Sequence, residues 1–199
     1  MNFKNIKGFF FDLDGTLIDS KLDFLAMRKD LGISLDIDIL EYVESLEDNE
    51  LKNKANAIIH HHEIQGAKNS VMIEGVTEFI FYLISNELPF GILTRNSKFC
   101  SLEMFKMHGL EIEHLITRED APPKPSPDGL NILKDRFNLE PHQCIYVGDY
   151  IHDLKSAQNA GMSPVLFEND QNSQFKEHAE YHFNCYKTFL NKIKNDIEH

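Results

Sequence analysis

Five short apolar runs alternate with longer amphipathic stretches along this chain of 199 residues, and that alternation limits the possible folds most. The runs are FFF at 9–11, FGILT at 90–94, HLIT at 114–117, CIYVG at 144–148 and SPVLF at 163–167. Brief apolar runs of this kind read as strands. Between them, Val76, Phe79, Ile80, Leu83 and Ile84 fall at the i, i+3, i+4 spacing of a helix. Further helices are expected through SKFCSLEMFKMHG, which stops at Gly109, through GLNILKDRFN, through DLKSAQNAG, which stops at Gly161, and around TFLNKIKND. Strands joined by single helices need right-handed crossovers, so the expected fold is α/β, a parallel sheet flanked by helices on both faces. Residues 21 to about 70 break this rhythm, holding only helical runs: LDFLAMRKDL, ILEYVESL and LKNKANAIIHHH. They are expected as a helical insertion after the first strand, too short to stand alone.

The first strand runs directly into Asp12, and Asp14 follows one residue later. Two such charges raise each other's pKa, so the pair is either an acidic turn or part of a site that holds a cation. In open α/β sheets ligands collect at the carboxyl ends of the strands. Asp12 and Asp14 follow the first strand, Thr94 the second, and Asp149 and Asp153 the fourth, while Lys124 in APPKPSP lies in the loop before the helix that feeds the fourth. A parallel sheet gathers these residues on one edge. Three carboxylates suit a hard, six-coordinate Mg²⁺ that also binds a phosphate oxygen. An aspartate facing a phosphomonoester can attack phosphorus, and a second acid can protonate the leaving oxygen and later deprotonate a water. A hydroxyl and an ammonium compensate the charge on the transferring oxygens. Gly15 permits a tight turn after the acids.

These residues carry a resemblance. FFFDLDGTLIDS is similar to motif one of the haloacid dehalogenase superfamily, and ILTRN, KPSP and GDYIHD resemble its motifs two, three and four, in order. IEGVTEFIFYLISNELPFGILT is similar to the phosphoglycolate phosphatase-like members. The resemblance implies a Rossmann-like core of residues 1–19 and 72–199 with a small helical cap at 20–71. It implies Asp12 as nucleophile, Asp14 as general acid and base, Thr94 and Lys124 as phosphoryl-binding catalytic groups, and Asp12, Asp14 (through its carbonyl), Asp149 and Asp153 as Mg²⁺ ligands. Gly15, Thr16, Arg95 and Asn96 are the expected substrate-binding positions. Arg95, between Thr94 and Asn96, and Tyr150, in place of the frequent Ser, depart from the commonest pattern.

Other groups have plainer readings. His60, His61 and His62 point in different directions on a helix and are expected on a solvated cap face. Phe81, Tyr82 and Phe90 are expected in the core, and Arg118 is expected to pair with Glu119 or Asp120. Cys100, Cys144 and Cys185, without CxxC spacing, are expected as reduced core filler.

The formal net charge of −12 leaves no basic stripe for nucleic acid. The start MNFKNIKG has no apolar leader, and FIFYLI at 79–84 is too short to span a bilayer. The expectation is a cytoplasmic monomer or homodimer, a Mg²⁺-dependent phosphatase acting on a small phosphorylated metabolite through an aspartyl-phosphate. A phosphosugar mutase and a non-catalytic phospho-ligand-binding protein are the alternatives. A receiver module has its acids in another order, a dehalogenase has no use for Asp14, and nothing marks Lys52, Lys54 or Lys68 as a phosphonatase lysine.

Overall fold

A computed structural model describes residues 1–198. The chain runs β1 (Gly8–Phe11), β2 (Ile18–Asp19), α1 (Phe24–Leu31), α2 (Ile39–Ser45), α3 (Asn49–Asn69), β3 (Val71–Met72), α4 (Val76–Ser85), β4 (Phe90–Leu93), α5 (Lys98–His108) and β5 (Leu115–Ile116). It continues with α6 (Asp128–Arg136), β6 (Cys144–Gly148), α7 (Ile151–Asn159), β7 (Ser163–Phe167), β8 (Tyr181–Phe183) and α8 (Tyr186–Glu198). Six strands form one parallel sheet in the order β5-β4-β1-β6-β7-β8. The expected α/β, Rossmann-like sheet is therefore present, with β8 as a sixth strand beyond the five expected.

Alternation along β1 explains its uninterrupted apolar sequence. Phe9 and Phe11 enter a core layer with α4, α5 and α8, whereas Phe10 enters the opposite layer with Leu130 and Leu133 of α6. All three phenylalanines are fully buried. In α4, Val76, Phe79, Ile80 and Leu83 face the sheet, but Phe81 and Ile84 are exposed and do not join the core as expected. Phe81 falls off the apolar stripe, and Ile84 sits at its edge in the last turn. Cys100 and Cys144 are buried, but Cys185 is exposed, which corrects its reading as core filler. No described helix is long and apolar enough to cross a membrane.

The 21–70 stretch forms three helices, each opened by an aspartate whose carboxylate accepts backbone N–H bonds: Asp23, Asp38 and Asp48. Met27, Ile39, Val43, Ala55 and Ile59 give these helices a small core of their own. The chain leaves and rejoins the main sheet through the antiparallel pair β2–β3, which ties Ile18 to Met72 and Asp19 to Val71.

Candidate active site

β1 lies between β4 and β6, so successive connections leave it in opposite directions and open a crevice at its carboxyl end. Asp12 occupies that end, held by its backbone N–H donating to the Val147 carbonyl at 2.8 Å. The turn that follows depends on Gly15. Its φ is +76°, and a Cβ there would lie 2.5 Å from Asp149 Oδ2. β6 ends at Gly148, Asp149 follows it, and the first turn of α7 carries Asp153.

Lys124 Nζ donates to Asp12 Oδ1 at 2.6 Å, to Asp153 Oδ1 at 2.6 Å and to the Tyr146 hydroxyl at 3.2 Å. Tyr146 in turn donates to the Leu93 carbonyl at 2.9 Å, and the Tyr150 N–H donates to Asp153 Oδ2 at 3.0 Å. Asp12, Asp153 and Lys124 are all buried. Burial, reinforced by the Asp153 and Asp149 charges, holds Asp12 well above the ordinary carboxylate range in spite of Lys124. Burial on its own would lower Lys124, but Asp12 and Asp153 outweigh it and hold the ammonium above its usual range. Burial and the Asp153 charge push Asp149 up to about 7. Burial pushes Asp14 up to about 6, opposed by the Ser20 hydroxyl, Lys124 and Asn96.

Among the other expected positions, Thr94 is buried at the end of β4, and its Oγ1 accepts the Asn96 backbone N–H at 3.1 Å. The Asn96 side-chain amide donates to Asp14 Oδ2. Asp12, Asp14, Gly15, Thr94, Arg95, Asn96, Lys124, Asp149 and Asp153 all line one cleft of about 1030 Å³. Thr16 does not. It is fully buried outside the cleft wall, and its carbonyl accepts the Tyr186 hydroxyl at 2.9 Å. Arg95 lines the cleft while paired with Asp38, one Nη2 reaching Oδ1 at 2.7 Å and Oδ2 at 2.8 Å.

The expected partner of Arg118 is corrected. It grips Glu63 of α3, with Nη1 on Oε1 and Nη2 at 3.2 Å from Oε2, and Ser97 donates to the same Oε2 at 3.0 Å. Glu63 and Asp38 are thus cleft residues that sequence reasoning missed. Arg118 and Glu63 are separated by 55 positions, so no local spacing reveals the pair.

Carboxylate oxygens of Asp12, Asp149 and Asp153 lie within 4.8 Å of one another, and Asp14 adds a fourth carboxylate with its Oδ1 buried and without a hydrogen-bond partner. Lys124 is the one ammonium bonded among them in the described structure. An all-oxygen donor set with surplus negative charge fits a hard divalent cation. His60, Glu63 and Cys100 also approach within 4.8 Å, but the guanidinium on Glu63 opposes a cation there. His62 contacts Asp30 at 2.9 Å.

Fold and site together define an α/β enzyme with a carboxylate and lysine centre at its sheet's switch point. Residues 26–167 match the family model described as haloacid dehalogenase-like hydrolase. The chain is 34% identical to an uncharacterized hydrolase of Saccharomyces cerevisiae over 89% of this chain and 84% of that one. It is 28% identical to a phosphoglycolate phosphatase of Chromobacterium violaceum, over 83% and 86% of the two chains. Its fold superposes with a TM-score of 0.76 on a crystal structure from Bacteroides fragilis described as a haloacid dehalogenase-like hydrolase, 20% identical over 92% of this chain and 99% of that one. The chain belongs to the haloacid dehalogenase-like hydrolase family and is an enzyme.

Proposed function

We propose that this enzyme is a Mg²⁺-dependent phosphatase that hydrolyses a small phosphomonoester metabolite through an aspartyl-phosphate on Asp12. The observation that carries this reading is the convergence of Asp12, Asp149 and Asp153 within 4.8 Å, with Lys124 bonded to the first and last of them. Asp12, Asp149, Asp153 and the Asp14 carbonyl would hold the ion, which when bound supplies charge neutralisation for the phosphoryl oxygens and lets the carboxylates ionise together.

In the first step an Asp12 carboxylate oxygen forms a bond to phosphorus as the bond from phosphorus to the alcohol oxygen breaks. Asp14 gives its proton to that departing oxygen, and the alcohol leaves neutral. Asp14 then takes a proton from a water, whose oxygen bonds to phosphorus as the bond to Asp12 breaks, releasing orthophosphate. Lys124 and Thr94 carry the charge of the transferring oxygens, and the Asn96 amide on Asp14 fixes the direction of the proton transfer. Residues 20–71 act as a cap on a core of residues 1–19 and 72–199, joined to it by Arg95–Asp38 and Arg118–Glu63, and exclude bulk water from the intermediate. The named relative from Chromobacterium violaceum supports a small phosphorylated substrate.

The test is orthophosphate release from a panel of small phosphomonoesters with Mg²⁺ or with EDTA, using Asp12→Asn protein as the blank. The reading requires release that depends on both Mg²⁺ and Asp12. Release that persists in folded Asp12→Asn protein would refute the nucleophile.

A further inference from the structure

The ladder between β6 and β7 stops one residue short of Asp149. Its last pairing joins Gly148 to Leu166. The Asp149 carbonyl is held all the same, by a side chain that takes the place of a further strand partner. Asn172, in the loop after β7, donates from Nδ2 to the Asp149 carbonyl at 2.8 Å and to the Phe167 carbonyl at 2.9 Å. Its Oδ1 accepts the Asn169 backbone N–H at 2.9 Å. Asn172 is only 3% exposed, and a primary amide, with two donors and an acceptor, is the group that can serve all three partners. The bonds to Phe167 and Asn169 stay within its own stretch of chain. The bond to Asp149 crosses to another.

That crossing bond falls on the peptide unit that carries a candidate cation ligand. The Asp149–Tyr150 peptide accepts from Asn172 at its oxygen and donates from its nitrogen to Asp153 Oδ2 at 3.0 Å. A peptide unit is planar, so holding both ends fixes its rotation. The rotation sets where the Asp149 side chain leaves the backbone relative to Asp153, the other acid of this segment. The carboxylate of Asp149 is confined as well. Gly15 approaches it so closely that a Cβ there would lie 2.5 Å from Oδ2, and the Asn169 amide reaches the same oxygen at 3.4 Å. Asn169 is in turn tied to Asn172 through its backbone N–H. Asn172 thus acts on Asp149 by two routes, directly at the carbonyl and through Asn169 at the carboxylate.

We propose that Asn172 is a positioning residue for the cation site, holding Asp149 in the orientation that lets it share an ion with Asp12 and Asp153. The proposal rests on the Mg²⁺-dependent reading above and adds to it a residue from outside the four motifs. Asn172 touches neither ion nor substrate and takes no part in the bond changes at phosphorus.

The experiment measures Mg²⁺ affinity by calorimetry for wild-type protein, Asn172→Ala, Asn172→Ser and Gln174→Ala, each checked for folding by thermal melts. Gln174 is the control, because its amide donates to the Gln171 carbonyl at 2.9 Å in the same loop and leaves Asp149 alone. Loss of a group that orients a metal ligand costs about 10- to 100-fold in affinity, which is the fall expected for Asn172→Ala. Asn172→Ser, with one hydroxyl donor in place of two amide donors, is expected to lose less, and Gln174→Ala nothing. On any phosphomonoester that is turned over, the Mg²⁺ concentration for half-maximal rate is expected to rise by the same factor in Asn172→Ala, while kcat at saturating Mg²⁺ stays near wild type. A structural role alone would lower the melting temperature and leave the affinity where it was. Wild-type affinity in folded Asn172→Ala, or an equal loss in Gln174→Ala, overturns the proposal. If Asn172→Ala does not fold, the same comparison between Asn172→Ser and Gln174→Ala decides it. Wild-type protein that binds Mg²⁺ but hydrolyses no phosphomonoester would sink the phosphatase reading and leave the affinities to decide the role of Asn172. Wild-type protein that binds no Mg²⁺ would overturn both.

Discussion

A group that must give up a proton and then recover one works best when it titrates near the working pH, and burial sets Asp14 at about 6. Asp14→Asn keeps the shape and removes the titration. Its kcat is expected to fall about 10²- to 10⁴-fold on an alkyl phosphate and much less on p-nitrophenyl phosphate, whose leaving group needs no proton. An equal fall on both substrates would assign Asp14 another role. The raised groups also fix a pH dependence. Asp14 at about 6 and Asp149 at about 7 bind protons more tightly folded than unfolded, where an aspartate titrates near about 3.9. Their contribution to stability is therefore complete below about pH 4 and is lost as pH rises through 6 and 7. A cation held by Asp149 would replace the proton on that carboxylate. The rise in melting temperature on adding Mg²⁺ is expected to be small at pH 5 and large at pH 8, and thermal melts with and without the ion at each pH measure it. An equal rise at both would contradict the assignment of the Asp149 carboxylate to the ion.

The elements carry these residues to one place through short, specific connections. β1 delivers Asp12, and the turn behind it brings Gly15 so close to Asp149 that no side chain fits. Gly15→Ala would meet both the Asp149 carboxylate and an unfavourable φ, so Asp149 must move. The expected result is weaker Mg²⁺ binding, by calorimetry, in a protein that still folds; unchanged affinity would show that Asp149 has freedom the geometry denies. At this scale the sequence was most informative where a signal is local. The DLDG stretch and Gly109 at the end of α5 are each legible from a few neighbouring residues. β8 was not legible, because three residues with His182 exposed at the middle give little apolar pattern. Arg118 was misassigned for a related reason, since two acids stand beside it in sequence while its partner arrives on a distant helix.

For the whole molecule, the packed core lies on both faces of the sheet and the candidate site at the carboxyl ends of its strands. The aromatic layer beneath it centres on Phe189, which is fully buried with its ring centroid 4.0 Å from Phe183 and 5.3 Å from Phe79. Phe189→Ala is expected to lower unfolding stability by about 3–5 kcal/mol, whereas Phe81→Ala, at a 69% exposed position, is expected to stay within about 0.5 kcal/mol. Denaturant titration of both variants checks the contrast, and similar losses would place Phe81 in contacts that the fold does not give it. The order of the motifs along the chain gave the architecture and the edge on which the site lies. It did not reveal Thr16 turned out of the cleft, because that depends on how α8 packs against the sheet.

The most direct measurement is acid quenching of a single turnover with Mg²⁺, followed by peptide mass mapping. A transient phosphoryl adduct on the peptide that carries Asp12, formed and lost at rates compatible with turnover, is the expected result. Phosphate release with no such adduct at any time point would contradict attack by Asp12.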